Sequence, residues 1–292
     1  MKYQQLSPGT YVAAISGGVD SVVLLDLLGK QKDITIVVAH FDHGMRKESQ
    51  KDARFVEELA KKYRCPFELG SANLGNVGEA VAREARYDFL HDVKSQYKAD
   101  AIITAHHSDD IIETIIINIV RGTGWKGLSS LRDNDDLKRP LLDSSKDKIE
   151  DYAKKHNLTW VEDETNRDEK YLRNHIRHNV LADIDQSKKQ QFLDLYYDQL
   201  KLHKQIGKHT AVMATDRRHN YIMWPRQVAL EVLRAQYTLT RPQAIRALHA
   251  IKTAKPGTLF DISSSHTFEF SKEKILLTHK NKTDDLSVHM VK

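Results

Sequence analysis

A glycine-rich hexapeptide near the N-terminus has the residue types of a phosphate-binding loop. The segment SGGVDS lies between an apolar run at residues 11–15 and a helical pattern. Glycines allow the backbone to turn sharply and approach an anion closely. A helix that starts directly afterwards points its free N–H groups and its positive dipole end at that anion. The residues predicted to bind the phosphates of a nucleotide are Ser16, Gly17, Gly18, Val19, Asp20 and Ser21.

Asp20 is the unusual member of this loop, because a carboxylate repels phosphate unless a cation lies between them. Mg²⁺ commonly fills that place, so the sequence predicts a magnesium ion beside Asp20. The loop lacks the GxxxxGK[ST] spacing of a Walker loop and the GxGxxG spacing of a dinucleotide fold. For so short a motif, a purely structural turn is the alternative.

A second polar cluster follows another apolar run, in the segment AHHSDDIIET. His106, Asp110 and Glu113 are spaced i, i+4 and i+7, and they share one stripe if a helix already includes His106. We expect this stripe to face the reacting nucleotide, with Asp110 as a second Mg²⁺ ligand. Ser108 and Asp109 are instead suited to capping the helix. The isoleucines expected on the opposite, buried stripe are Ile112, Ile115, Ile116 and Ile119.

Three further segments carry polar or basic groups that suit a nucleotide or an RNA. In HFDHGMR, the residues expected to line the nucleotide pocket are His40, Asp42 and His43, although His40 also fits a core position. In EARY, Arg86 is suited to a bidentate phosphate contact, and a surface ion pair is the alternative. The loop RGTGWKG supplies Arg121 and Lys126, while Gly122 also fits an ordinary helix C-cap.

The elements that position these residues alternate between short strands and amphipathic helices. Apolar runs at 11–15, 34–40, around 67 and at 101–105 predict strands, and helical patterns follow at 20–30, 49–63, 78–94 and 108–121. Such alternation indicates βα units and a parallel sheet. Ligands of parallel sheets bind beyond the carboxyl ends of the strands, where all the polar segments fall.

Length and charge predict a second domain. The 292 residues exceed one average domain. Residues 171–292 carry a balance of +9 and residues 1–170 a balance of −4, which suggests a catalytic part followed by a part that holds a polyanion. We predict a nucleotide-binding α/β domain at 1–184, a helical connector at 185–215 and a small α+β domain at 216–292. Within the last, helices are expected at 226–237 and 241–251 and strands at 258–262 and 274–278.

Composition excludes several classes of protein. No apolar run reaches the roughly 18 residues that span a bilayer, and the first residues, MKYQQ, lack the apolar stretch of a secretory signal. Cys65 is the single cysteine, which excludes an internal disulfide framework and any CxxC site. These features favour a cytoplasmic protein without a membrane partner. The sequence leaves open whether the chain forms a homodimer.

Taken in order, several segments resemble the tRNA(Ile)-lysidine synthase family, which belongs to the N-type ATP pyrophosphatases (PP-loop proteins). They are SGGVDS, HFDHGMR, EARYDFL, AHHSDDIIET, RGTGWKGL, RPLL, WVEDETN and YLRNHIR. Many pyrophosphatases share SGGxDS, whereas HHxDD combined with RGTG and RNxxR is far more specific. The resemblance is tight over residues 10–181. It is weaker over 221–280, which is similar to the family's tRNA-binding domain.

The resemblance implies an enzyme that uses ATP and Mg²⁺ to modify tRNA(Ile) bearing the anticodon CAU. Adenylation of the wobble cytidine at its 2-carbonyl oxygen would release pyrophosphate, and the amine of free L-lysine would then replace AMP at carbon 2. The catalytic residues implied are Asp20, Arg86, His106, Asp110 and Glu113. The residues expected to contact RNA are Arg121, Lys126, Arg173, Arg177, Arg241, Arg246 and Lys252. For Arg173 and Arg177, rigidifying the site is an equal alternative.

The sequence departs from the family pattern at two points, and three other functions are weighed against it. Ile111 stands where the family usually has Gln, and many members carry a further C-terminal domain, so we expect a shorter form or a truncated chain. Sulfur-transferring tRNA thiolases need more cysteines than Cys65 alone. Amidotransferase relatives need a glutaminase partner. A non-catalytic module that binds ATP or RNA would not need so many carboxylates near phosphate.

Overall fold

A computed structural model describes residues 1–42, 49–72, 79–162, 172–262 and 266–279. The chain divides into two compact units, Met1–Leu200 and Lys201–Lys292. The strands of the first unit are β1 (Gly9–Ala14), β2 (Ile34–Asp42), β3 (Phe67–Ser71), β4 (Ala101–Ile103) and β5 (Leu137–Lys138). Its helices are α1 (Val19–Gly29), α2 (Ser49–Lys62), α3 (Glu79–Gln96), α4 (Ser108–Val120), α5 (Lys146–Lys155) and α6 (Leu172–His175), followed by a π-helical turn (Ile176–Val180) and the start of α7 (Gln186–Met213).

The first unit is built on a five-stranded parallel sheet with the order β3-β2-β1-β4-β5. Successive residues of β1 point to opposite faces, as the pleat requires. Ala13 packs in the cluster that contains α1, α2 and α5, whereas Val12 packs with α3 on the other face. Both residues are fully buried. The sheet is therefore covered by helices on both sides, which confirms the predicted α/β fold.

Two helices of this unit differ from their sequence patterns. α1 was expected to be amphipathic, but it is buried almost all round because it lies between the sheet and α5. On α4, Ile112 and Ile115 are buried as expected, whereas Ile119 is 55% exposed and Ile116 is only partly buried. The predicted apolar stripe is therefore wrong over the last turn of α4. Ile111 is fully buried and joins a separate apolar cluster with Leu131 and Tyr196.

The strand order places the polar segments at one edge of the sheet. β1 lies between β2 and β4, so the carboxyl ends of these three parallel strands lie side by side. β2 and β3 lie on one side of β1, whereas β4 and β5 lie on the other. The boundary between β1 and β4 is therefore a topological switch point, where ligands of open α/β sheets bind. The loop at residues 15–18 follows β1, and the segment at 104–107 follows β4.

The second unit has its own core, formed by helices and an antiparallel sheet. It contains the end of α7, then α8 (Arg218–Met223), α9 (Arg226–Gln236), α10 (Arg241–Thr253), β6 (Leu259–Asp261), β7 (His266–Phe270) and β8 (Ile275–His279). The strands pair in the order β6-β7-β8, and Thr240 with Gln243 forms a capping box at the start of α10. The α+β architecture is as predicted, but α8 and β7 were missed. Within the described part of the chain, no helix is long and apolar enough to cross a membrane.

Candidate nucleotide-binding site

The loop between β1 and α1 is held in shape by its own serines. Gly17 has φ +92°, a left-handed conformation that glycine adopts without strain. The Ser21 hydroxyl accepts a hydrogen bond from the Gly17 amide at 3.1 Å and donates one to the Gly18 carbonyl at 2.9 Å. The Gly18 amide donates to Ser16 Oγ at 3.3 Å. This geometry turns the chain directly into α1, so the first amides of the helix open at the carboxyl edge of the sheet.

Asp20 lies in the first turn of α1 and carries a cationic partner that the sequence did not suggest. Lys146 Nζ donates to both carboxylate oxygens of Asp20, at 2.8 and 2.9 Å. The two side chains are 35% and 30% exposed. The charge of Asp20 is therefore balanced by an ammonium group of the same chain.

Helix α4 begins at Ser108, which corrects the position of His106. His107 is the N-cap, and its amide donates to Asp110 Oδ2 at 2.9 Å. Asp110 thus satisfies a free amide at the start of its own helix. His106 precedes the helix and hydrogen-bonds through Nδ1 to Thr104 Oγ1 at 2.8 Å. The expected stripe of three residues on α4 is wrong for His106, since only Asp110 and Glu113 share the helix.

Asp109 caps a helix, but not the one in which it lies. Its Oδ2 atom accepts a hydrogen bond from the Lys146 amide at the start of α5, at 2.8 Å. Its Oδ1 atom pairs with Lys189 Nζ of α7 at 3.2 Å. Although burial opposes the charged form, His107 and these donors hold the pKa of Asp109 well below its usual range. Asp109 therefore fixes α5 against α4.

His107, which sequence reasoning left without a role, lies between the two predicted magnesium ligands. Its Nε2 atom is 3.8 Å from Asp20 Oδ2 and 3.5 Å from Asp110 Oδ2, while Nδ1 is 3.7 Å from Asp109 Oδ2. Burial alone would lower the pKa of His107, but Asp110, Asp109 and Asp20 outweigh it and raise that pKa. The doubled histidine in HHSDD is the only sequence signal for this position, and it does not tell which ring faces the carboxylates.

Asp110 and Glu113 are held by two arginines that follow β5 in the chain. Arg173 Nε donates to Glu113 at 2.9 Å, and Arg177 Nε donates to the other oxygen of Glu113 at 2.6 Å. Both guanidinium groups also reach Asp110 Oδ1, at 3.2 and 3.4 Å. Burial opposes ionisation of Asp110, yet His107, His106 and Arg173 hold its pKa well below the usual range. The two arginines rigidify the site in this structure, and their contact with RNA stays a prediction.

Several basic groups act on His106. Burial, together with Arg139, Arg173 and Arg86, lowers the pKa of His106 to about 3 against the opposing effect of Asp110. Burial also lowers the pKa of Arg86. Arg86 Nε is buried and has no hydrogen-bond partner among the described residues. A neutral imidazole beside guanidinium groups suits an anionic ligand.

The remaining predicted site residues lie at different depths. His40 is buried, and its Nδ1 atom hydrogen-bonds to the Ile15 carbonyl at 2.8 Å. It therefore holds the residue that precedes the phosphate loop. Asp42 is the last residue of β2 and is partly buried. His43 lies outside the described residues. All three assignments to a nucleotide stay predictions.

The residues predicted to contact RNA are distributed over both units. Arg121 is exposed at the end of α4, and Lys126 lies over the ring of Trp125, 5.5 Å from its centroid. In the second unit, three basic side chains are exposed on α10: Arg241, Arg246 and Lys252. Arg246 Nη2 also reaches the Ile262 carbonyl at 3.4 Å.

The donor set suits a metal ion that arrives with phosphate. Among the residues with described positions, no group of three or more His, Cys, Asp or Glu side chains is arranged to hold a metal ion. Mg²⁺ is usually held by one or two carboxylates together with phosphate and water oxygens. Asp20 Oδ2 and Asp110 Oδ2 lie 3.8 and 3.5 Å from the same imidazole nitrogen, and they are the carboxylates that could take this part.

The fold and this site define an α/β nucleotide-binding protein whose phosphate loop follows the central strand. A family model described as "PP-loop domain" matches residues 2–184. The chain belongs to the PP-loop family. It is 38% identical over 188 residues to the tRNA(Ile)-lysidine synthase of Thermotoga maritima, a match that covers 60% of this chain and 45% of the relative.

Other comparisons agree with this assignment. The tRNA(Ile)-lysidine synthase of Clostridium tetani is 35% identical over 201 residues, which cover 64% of this chain and 43% of the relative. The chain therefore spans less than half the length of these relatives. Among solved structures, the U34-tRNA thiolase NcsA of Methanococcus maripaludis with its [4Fe-4S] cluster aligns with a TM-score of 0.52 at 17% identity, over 68% of this chain and 73% of that one. This likeness concerns the fold alone.

Proposed function

We propose that this chain carries out the ATP-dependent ligation of free L-lysine to the wobble cytidine of tRNA(Ile) with the anticodon CAU. In the first step, the 2-carbonyl oxygen of the cytidine attacks the α-phosphorus of ATP, and the bond to the β-phosphate breaks, so that pyrophosphate leaves. In the second, the amine of lysine attacks carbon 2, loses a proton, and AMP departs with the former carbonyl oxygen. The products are lysidine in the tRNA, AMP and pyrophosphate.

One observation carries this proposal: the helices that follow β1 and β4 begin next to each other. Asp20 in the first turn of α1 and Asp110 in the first turn of α4 lie within 4 Å of the same nitrogen of His107. The residues at 16–21 would receive the departing pyrophosphate on backbone amides and hydroxyl groups, where donors are already in place as charge develops. Mg²⁺ would supply charge neutralisation between phosphate oxygens and these carboxylates when it is bound.

The basic side of the site would hold the α-phosphate and the cytidine. Arg86 has a buried nitrogen available for an oxyanion and would remain charged at neutral pH. His106, whose pKa is lowered to about 3, is neutral there. A group whose pKa lies so far below neutral pH is a poor general base. His106 would therefore position a substrate through a hydrogen bond. The lysine amine would lose its proton to solvent or to a substrate oxygen.

Glu113 of α4 would orient the site rather than react. Glu113 is 1% exposed and engaged by two guanidinium groups. Both of its oxygens accept charge-assisted hydrogen bonds from these arginines, which compete with a substrate or a metal ion for them. We assign Glu113 and Arg177 to positioning, and Asp20 and Asp110 to the nucleotide and its metal ion.

Binding of the tRNA is assigned to the basic second unit together with the loop after α4. Exposed cations on α10 and the pair formed by Trp125 and Lys126 suit a phosphate backbone and a stacked base. The names of the curated relatives support a tRNA substrate. Since the chain spans less than half of their length, the activity, the lysine specificity and the tRNA partner are all part of this proposal.

Sulfur transfer, the activity named for the structural neighbour NcsA, has less support. Cys65 is the single cysteine of the sequence. Its side chain is partly buried against the core of the first unit, and burial raises the pKa of its thiol. A reactive cysteine needs the opposite environment.

The test is incorporation of labelled lysine into tRNA. The chain is incubated with ATP, Mg²⁺, labelled L-lysine and tRNA(Ile) bearing CAU. The matched control is the same tRNA with uridine in place of the wobble cytidine. We expect label only in the first tRNA and only with ATP. Equal labelling of both tRNAs, or none in either while pyrophosphate is released, would overturn the assignment to lysine ligation.

A further inference from the structure

Lys146 forms hydrogen bonds to the carboxylate of the phosphate loop. Its ammonium group lies 2.8 and 2.9 Å from the two oxygens of Asp20. Asp20 is the second residue of α1, beside the first amides of that helix, which are free to bind an anion. Any phosphate seated on those amides would therefore meet Lys146 as well as Asp20.

The backbone fixes where Lys146 can reach. Lys146 is the first residue of α5, and its amide is held by Asp109 Oδ2 at 2.8 Å. Farther along the same two helices, Tyr152 donates to Asp26 Oδ2 at 2.8 Å. Both contacts join residues 126 positions apart, so α1 and α5 run side by side in one register. That register places the backbone of Lys146 beside the start of α1.

The ion pair itself is easily exchanged. Both partners are about one-third exposed, and pairs of this kind contribute little to stability because water competes for both charges. A lysine side chain has four flexible carbons and a compact charge. Polyphosphate is a stronger anionic partner than one carboxylate, and Asp20 would become available to Mg²⁺ as Lys146 leaves it.

We propose that Lys146 binds the β- and γ-phosphates of ATP at this site, and also the pyrophosphate that departs. The proposal rests on the proposed function, because it names a residue for the same nucleotide. In this structure, Lys146 neutralises Asp20. With ATP bound, the ammonium group moves to phosphate oxygens and stabilises charge on the leaving group. The alternative is that Lys146 only ties α5 to α1.

The experiment compares three ligands on three forms of the full chain. ATP, inorganic pyrophosphate and AMP are titrated, each with Mg²⁺, into wild type, Lys146→Met and Lys146→Arg. The control is Lys148→Met, an exposed lysine of the same helix. Thermal unfolding of each variant is measured in parallel, so that a folding defect is recognised.

The proposal predicts a loss of affinity that depends on the ligand. Lys146→Met should weaken ATP and pyrophosphate binding by at least about tenfold, because a charge-assisted interaction is removed. AMP, which lacks the β- and γ-phosphates, should bind as before. Lys146→Arg should recover most of the affinity, and Lys148→Met should match wild type.

Two results would overturn the assignment of Lys146. One is wild-type affinity of Lys146→Met for ATP and pyrophosphate, and the other is an equal loss of affinity for all three ligands with a lowered melting temperature. Failure of the proposed function is seen separately. In that case the wild type would bind ATP and Lys146→Met would weaken this binding, but the wild type would attach no lysine to tRNA. A wild type that binds neither ATP nor pyrophosphate would overturn both.

Discussion

Arg177 grips Glu113 with two parallel hydrogen bonds, at 2.6 Å from Nε to Oε1 and 3.1 Å from Nη2 to Oε2. The acid comes from α4 and the base from the π-helical turn that follows α6. This pairing turns an acid of the strongly acidic HHSDDIIE segment into a fixed, neutralised anchor. It explains how a carboxylate that is 1% exposed is tolerated beside a phosphate site.

Removal of the Arg177 guanidinium should therefore destabilise the fold. Arg177→Met leaves Glu113 with Arg173 alone, and we expect a decrease of about 2–4 kcal/mol in the free energy of unfolding, because a buried charge is deprived of a partner. Arg177→Lys should recover less than half, since one ammonium cannot reproduce the fork. Urea denaturation measures the difference, with the exposed Arg121→Met as control. Unfolding of Arg177→Met within about 0.5 kcal/mol of wild type would refute the anchor.

The two glycines of the phosphate loop should respond differently to alanine. Gly17 has φ +92°, so Gly17→Ala should cost on the order of 1–3 kcal/mol of stability through backbone strain. Gly18 has φ −70°, and a Cβ there would lie an ordinary 3.5 Å from Ser16 Oγ. Gly18→Ala should leave stability within about 0.5 kcal/mol of wild type. Equal melting temperatures for the two variants would contradict the loop geometry.

The buried carboxylate of Asp26 should make stability depend on acid pH. Burial alone would raise the pKa of Asp26, but hydrogen bonds from Lys30, Tyr63 and Tyr152 outweigh it and lower that pKa. The unfolded chain takes up this proton near its ordinary pKa of about 3.8, before the folded chain does. The stabilisation is therefore complete above that pH and is lost as pH falls through the lower folded pKa.

Asp26→Asn checks this dependence. The variant should be less stable than wild type by on the order of 1–3 kcal/mol at pH 6, because hydrogen bonds to a charged group are weakened. The gap should narrow below about pH 4. Asp151→Asn, an exposed acid of α5, serves as the control. A gap between wild type and Asp26→Asn that is constant from pH 6 to pH 3 would contradict the assignment.

The basic face of α10 should carry part of the tRNA affinity. We expect glutamine at all three of Arg241, Arg246 and Lys252 to weaken tRNA binding and to reduce its salt dependence. The reduction should be about 0.7–0.9 log units per log unit of salt for each phosphate that these side chains neutralise. ATP affinity should not change. The matched control neutralises exposed lysines elsewhere in the second unit: Lys204, Lys208 and Lys272. Identical salt slopes for both triple variants would show that α10 does not meet the phosphate backbone.

Local patterns predicted the parallel sheet because each of its long strands is an apolar run with a helix behind it. Val12 and Val37 pair across β1 and β2 from within such runs. β7 was missed because HTFEF has only five residues, of which only Phe268 and Phe270 are apolar. β5 has two residues and forms only because β4 lies beside it. β5 therefore depends on tertiary pairing, and its two residues show no strand pattern of their own.

The site was predictable where residues are adjacent in sequence and unpredictable where they are distant. SGGVDS and HHSDD were recognised as motifs, but the sequence did not show that His107 rather than His106 faces Asp20. Lys146 stands in a polar stretch, SSKDKIED, with no motif around it. Only the packing of α5 against α1 brings it to Asp20. Likewise, the spacing of Arg173 and Arg177 predicts one helical face, but not the acids that this face binds.

The position at which ATP is cleaved tests the proposed ligation most directly. ATP labelled at the α- and γ-phosphates is incubated with the chain, Mg²⁺, lysine and tRNA(Ile) bearing CAU, and the products are separated. We expect labelled AMP and pyrophosphate in equal amounts, each matching the lysine attached to tRNA. Asp20→Ala should lose this cleavage while its thermal unfolding stays cooperative, because the loop keeps its serines but lacks the carboxylate for the metal ion. Release of ADP and phosphate, or wild-type pyrophosphate release by Asp20→Ala, would contradict it.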